Sequence, residues 1–146
     1  MIRMGRAVVY DAPNTPSVMR EYPVRDEEAA PLNCGVATMI SITEAAVVNV
    51  GDTVVVQGLG LLGLYGCAIA KARGARRVIG LGSAPDPLAI AAKFGADAVF
   101  DIAAMNEDDL VAAVRAECPP DGADCGIEVC GAPAADRSVI RAAIVP

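Results

Sequence analysis

The residues best suited to chemistry are three glycines in the run Gly58-Leu59-Gly60-Leu61-Leu62-Gly63. The spacing GxGxxG serves the binding of a diphosphate by main-chain amides, and each glycine has its own task. Gly58 permits a tight strand-to-helix turn, Gly60 lets the backbone approach a pyrophosphate, and Gly63 lets a helix pack closely on a strand. Leu59, Leu61 and Leu62 complete the turn. The first amides of the following helix have no intrahelical acceptor, so they face phosphate oxygens, and the helix dipole assists them.

A dinucleotide site also needs a group for the adenosine ribose, about twenty positions beyond the first glycine. An acid there accepts hydrogen bonds from both ribose hydroxyls and repels a 2′-phosphate. This chain has Gly82-Ser83 instead, and the nearest following acid, Asp86, lies beyond Pro85. Ser83 could donate to a phosphate, but the loop carries no Arg or Lys. The choice between NAD and NADP stays open, leaning slightly to NADP.

Cys34 is the other residue whose setting suggests reactivity. With Asn33 as an N-cap, Cys34 falls in the first turn of a helix, where the dipole favours a thiolate as metal ligand or nucleophile. A small buried cysteine is the competing reading. The chain has no histidine, which removes the commonest general base and the commonest catalytic zinc ligand from anything it does alone.

These residues need a scaffold. The β-branched run Val54-Val55-Val56 follows a Gly51-Asp52 turn and reads as a short buried strand. After the glycines comes an apolar helix that stops near Lys71, Arg73 and Gly74. The stretch Thr53 to Ala70 is too rich in glycine, and barely long enough, for a membrane span. Arg77 to Gly82 predicts a second strand, Ser83 to Pro87 a loop, and Leu88 to Phe94 a helix closed by Gly95. Ala98 to Phe100 predicts a third strand, Glu107 to Glu117 a helix capped by Asn106, and Ile127 to Cys130 a fourth strand ending in Gly131. Ala135 to Ile144 carries a last helical pattern. Ahead of all these, Leu32 to Val48 has helical periodicity, and residues 5–23 read as two short strands joined by a turn cluster from Asp11 to Pro16. Strands alternating with helices predict an α/β fold, a Rossmann-like doubly wound parallel sheet preceded by a short β ribbon.

The totals fit one domain. The 146 residues are 54% hydrophobic, with two Phe, three Tyr and no Trp, so the core must be aliphatic. Twelve basic against eighteen acidic residues give a net charge of −6 with no basic tract, which argues against nucleic acid or an anionic membrane as partner. The N-terminus has no signal-peptide pattern, and the five cysteines form no CxxC pair, so the expectation is a cytoplasmic chain with reduced thiols.

The motifs taken in order resemble a known family. PLNCGVAT, NVGDTVVVQGLGLLG, KARGARRVIGLG, AAKFGADAVFD and GADCGIEVCG are similar, in order and spacing, to the nucleotide-binding half of medium-chain, zinc-type alcohol dehydrogenases. RAVVYDAPNTPSVMREYPV resembles the opening ribbon of their other, GroES-like domain. The resemblance implies residues 1–26 as a remnant of that domain and 31–146 as a truncated NAD(P)-binding domain. Only the acidic stretch from Asp26 to Ala30 stands where a whole domain would be.

The resemblance further implies hydride transfer between a small alcohol or carbonyl substrate and nicotinamide, with zinc as Lewis acid in the intact family. On matching positions, Cys34 is the single candidate zinc ligand and Thr38 lies beside the nicotinamide, with Leu62 packed on its ring. Gly58, Gly60 and Gly63 hold the pyrophosphate. Gly82 occupies the ribose-acid position, and Val129, Cys130 and Gly131 border the cofactor. A catalytic zinc needs three protein ligands, so the expectation is a chain that carries the cofactor part and does not turn over alcohol by itself. The alternatives are a non-catalytic nucleotide-binding or interaction module, which could form a homo-oligomer through an open sheet edge, and a methyltransferase using the same turn for S-adenosylmethionine.

Overall fold

The computed structural model describes residues 4–9, 16, 18–23 and 31–131. The chain forms two compact units, Met1–Cys34 and Gly35–Pro146. In the first, β1 (Met4–Val9) and β2 (Val18–Pro23) pair antiparallel, with Met4 opposite Pro23 and Val9 opposite Val18. That is the expected ribbon. Most of its turn cluster, the acidic stretch from Asp26 to Ala30 and the helical pattern from Ala135 to Ile144 lie outside the described residues.

The second unit is built on a parallel sheet of order β5-β4-β3-β6. Its strands are β3 (Thr53–Gln57), β4 (Arg77–Gly82), β5 (Ala98–Asp101) and β6 (Cys125–Glu128). Helices cover both faces, as the doubly wound arrangement requires. On one face, α1 (Ala37–Ala45) and α2 (Leu61–Ala72) pack over Val54, Val56, Val78 and Ile127. On the other, Leu110 and Val114 of α4 (Glu107–Ala116) pack on Val55, Ile79 and Leu81. Val54, Val55 and Val56 are all fully buried, each worth about 1.5–3 kcal/mol relative to an exposed position.

Several boundaries differ from those the sequence predicts. Asn33 caps nothing. It lies within a π turn, Leu32–Val36, and α1 begins only at Ala37 behind Val36, whose side chain makes no cap. The helix also ends at Ala45, ahead of Val47 at φ 53° and the buried Val48. The expected loop from Ser83 to Pro87 is half helix: α3 (Pro85–Ile90) has proline in its first turn and runs into a 3-10 turn, Ala91–Phe94. Proline suits that position because its missing N–H is an orphan there anyway. The fourth strand lies two residues earlier than expected, since Val54 pairs with Cys125 and Gln57 with Glu128. Asp124 fixes that register, its amide donating to the Thr53 carbonyl at 3.0 Å and its carboxylate accepting from the Thr53 amide at 2.7 Å.

Candidate functional site

The strand order reverses between β3 and β6, because the chain passes from β5 back across the sheet to β6. Ligands of open α/β sheets bind at the carboxyl ends of the strands beside such a reversal. At that edge stands the glycine turn.

Gly58 leaves β3 at φ +102°, a conformation that favours glycine. A Cβ there would lie 2.8 Å from the Cys130 amide nitrogen and 3.0 Å from the Cys130 Sγ. Gly58 therefore admits both the turn and the close passage of the chain leaving β6. Val129 donates to the Gln57 carbonyl at 2.9 Å, which extends the β3–β6 pairing beyond the strand. On the other side the turn leans on β4, with the Gly58 and Leu59 amides donating to the Leu81 carbonyl at 2.8 and 3.2 Å. The Gly60 amide folds back onto the Gly58 carbonyl at 2.8 Å.

Behind the turn, α2 starts at Leu61, and its first full bond runs from the Leu64 amide to the Gly60 carbonyl at 3.0 Å. The amides ahead of Leu64 have no intrahelical acceptor. Gly63 is buried against the turn, since a Cβ there would lie 2.1 Å from the Gly58 carbonyl oxygen. Gly60 differs from both. It is exposed, and a Cβ placed on it meets nothing within 4 Å. The backbone is therefore unobstructed at the start of α2.

Other candidate residues surround the turn. Leu61 is exposed and Leu62 half-buried, and both approach Gly35 at the entry to α1. Thr38 is exposed on α1, where it lines a shallow hollow with Ala37, Ser41, Ile42 and Ala45 that includes no residue of the glycine turn. Gly82 is buried, Ser83 is exposed just before α3, and Gly131 is exposed. Cys130 lies beyond the strand rather than in it, and its amide donates to the Glu128 carboxylate at 2.5 Å. Burial, and then the hydrogen bond and charge of Glu128, push the Cys130 thiol up to about 11 against an opposing hydrogen bond from Gln57.

Two residues gain a meaning that sequence reading did not give them. Gln57 is 2% exposed at the end of an otherwise apolar strand, and its Oε1 has no hydrogen-bond partner among the described residues. A lone amide in a valine run was the available signal. Leu59 is 3% exposed and roofs β4, so that a Cβ on Gly82 would lie 2.9 Å from the Leu59 Cβ. A side chain at Gly82 is therefore accommodated only if Leu59 or the strand end shifts.

The described residues do not fit a catalytic zinc. Cys34 is exposed, the chain has no histidine, and no group of three or more Cys, Asp or Glu among the described residues could hold a metal.

Residues 62–143, more than half of the chain, match the profile of the zinc-binding dehydrogenases. The chain belongs to that family. Within it, the chain is 37% identical over 91 residues to L-threonine 3-dehydrogenase of Rhizobium rhizogenes, a match covering 62% of this chain and 26% of that protein. It is 41% identical over 83 residues to erythritol/L-threitol dehydrogenase of Mycolicibacterium smegmatis, covering 57% and 22%. Alcohol dehydrogenase TADH from Thermus sp. ATN1 superposes with a TM-score of 0.72 at 27% identity, over 88% of this chain and 36% of that one. The chain thus spans about a quarter of the length of these curated relatives. What it shares with them is the nucleotide-binding part of a zinc-type medium-chain dehydrogenase.

Proposed function

We propose that this chain supplies the dinucleotide-binding part of a nicotinamide-dependent dehydrogenase that interconverts a small alcohol with its aldehyde or ketone, using NAD or NADP. The observation that carries this reading is Gly60, which is exposed and unobstructed immediately ahead of α2 and lies at the reversal between β3 and β6. There a pyrophosphate accepts hydrogen bonds from the amides at the start of α2, ahead of Leu64, since those of Gly58, Leu59 and Gly60 are already bonded within the protein. The nicotinamide half extends over Val129, Cys130 and Gly131 toward Leu62 and Thr38, and the adenosine half extends over β4. Substrates of the kind named for the relatives, a hydroxylated amino acid or a small polyol, set the class.

The donor set among the described residues does not fit a metal. The chain by itself holds and orients the dinucleotide without turning over alcohol. Its partners are the dinucleotide and a small substrate rather than nucleic acid. Among the described residues no helix is long and apolar enough to cross a membrane, which accords with a cytoplasmic setting. Among those residues β6 pairs on one side only, and that open edge is where a second copy would add.

Separate titrations with NADH and NADPH, followed by nicotinamide fluorescence, test the reading. Saturable binding of either supports it, and absence of both overturns it. Adding zinc, NAD(P)+ and a panel of alcohols tests the second part, where clear formation of reduced cofactor would show that the chain does turn over.

A further inference from the structure

We propose that Asp101, at the end of β5, is the group that reads the adenosine ribose, and that it gives this chain a preference for NAD(H) over NADP(H). The proposal rests on the dinucleotide reading above.

Leu59 crowds the Gly82 position and Gly82 itself carries no carboxylate, so one for the ribose would come from elsewhere along the same sheet edge. The parallel register sets Asp101 directly beside Gly82. The Ile102 amide donates to the Gly82 carbonyl at 2.9 Å, so the two strand ends are held together rather than merely adjacent. Neighbouring strands lie about 4.8 Å apart, so a ribose held by Asp101 sits one strand spacing from the end of β4. The face is also the right one. Val99 packs in the cluster that contains Leu59 and Val78, while Phe100 packs in the opposite one. Alternation along β5 therefore puts Asp101 on the face of Gly82 and of the glycine turn.

The carboxylate is oriented as well as placed. Its Oδ1 accepts from the Ala103 amide at 2.9 Å, and its Oδ2 has no protein hydrogen-bond donor among the described residues. A half-buried carboxylate with one oxygen fixed and the other available suits a ribose hydroxyl and repels a 2′-phosphate. Asp86, the nearest following acid in sequence, is exposed in the first turn of α3 and has no comparable tie to the end of β4.

The test is the ratio of NADPH to NADH dissociation constants for the full chain, read by nicotinamide fluorescence, in wild type, D101N, D101S and D86N. D101N keeps an oxygen for the Ala103 amide, and D101S offers a smaller one should the first variant be poorly folded. The expected result is tighter binding of NADH in the wild type, and an NADH affinity that falls about tenfold in D101N and D101S with NADPH unchanged or improved. D86N leaves the ratio as it was. An unchanged ratio in both Asp101 variants, or a shift in D86N instead, overturns the assignment while leaving the dinucleotide site intact. A wild-type chain that binds neither cofactor overturns the dinucleotide reading and this proposal together.

Discussion

A Cβ on Gly63 would lie 2.1 Å from the carbonyl oxygen of Gly58, whereas one on Gly60 would touch nothing within 4 Å. The glycines of one turn thus differ in what surrounds them. Gly63 is fixed by the protein's own backbone, whereas the space beside Gly60 is open.

That difference separates folding from binding. G63A forces α2 away from the turn and lowers stability by about 1–3 kcal/mol or more, the usual cost of overpacking. G60A changes stability by no more than about 1 kcal/mol, the difference between glycine and alanine at a helix N-cap. Its methyl group nevertheless enters the space proposed for the pyrophosphate and weakens dinucleotide binding by more than about tenfold. Thermal melts and nicotinamide fluorescence on both variants check this. A G60A protein that binds as well as wild type removes the reason for placing a diphosphate there.

The thiols give a second expectation. Cys34 is exposed, whereas burial pushes Cys67 up to about 12 and also raises Cys118 and Cys125. Cys130 is raised to about 11, by burial first and then by Glu128. The thiolate is the reacting form, so near pH 8 an alkylating reagent labels Cys34 first and leaves Cys67 untouched in the folded chain. Peptide mass spectrometry over a time course reads the order. Labelling of Cys67 at the rate of Cys34 would mean that α2 does not pack as described.

How far the sequence could be read depends on where each element's cause lies. The strand Arg77–Gly82 is an apolar run between a glycine stop and a polar loop, and it forms as expected. Asn106 caps α4 through the Asp109 amide at 2.9 Å, and Gly95 closes its turn at φ +94°. All these causes are local. The register of β6 is set instead by Asp124 and Thr53, seventy-one residues apart, and no window of sequence contains both. Nor does the glycine spacing reveal that Leu59 roofs Gly82, because that contact joins two elements. The start of α3 was legible in principle from Pro85 at its first turn.

Acid should loosen the packing of α2 on the sheet. The Asp97 Oδ2 is 2.7 Å from the Lys71 ammonium and accepts from the Val78 amide at 2.7 Å. Burial alone would raise this carboxyl, but the Lys71 hydrogen bond, the Val78 amide and the charges of Lys71 and Arg77 outweigh it and hold the group below its ordinary value. A depressed carboxyl stabilises the fold above its unfolded pKa, and that stability is lost as pH falls through the folded value. D97N should therefore be less stable than wild type near neutrality and equal to it in strong acid. Denaturant midpoints measured across pH test this, and parallel curves for the two proteins would contradict it.

Restoring an acid at the end of β4 is the sharpest test of the crowding by Leu59. In G82D the new Cβ meets the Leu59 Cβ at 2.9 Å, and that atom is too near the backbone to swing aside. Either β4 or the glycine turn must move, at a cost of about 1–3 kcal/mol, and a domain of this size loses roughly 2–4 °C of melting temperature per kcal/mol. Because the displaced turn is also the proposed pyrophosphate site, NADH affinity should fall even though the substitution adds the acid that usually favours NAD. A stable G82D protein with improved NADH binding would show instead that Leu59 yields, and that the ribose lies over β4 with no need of Asp101.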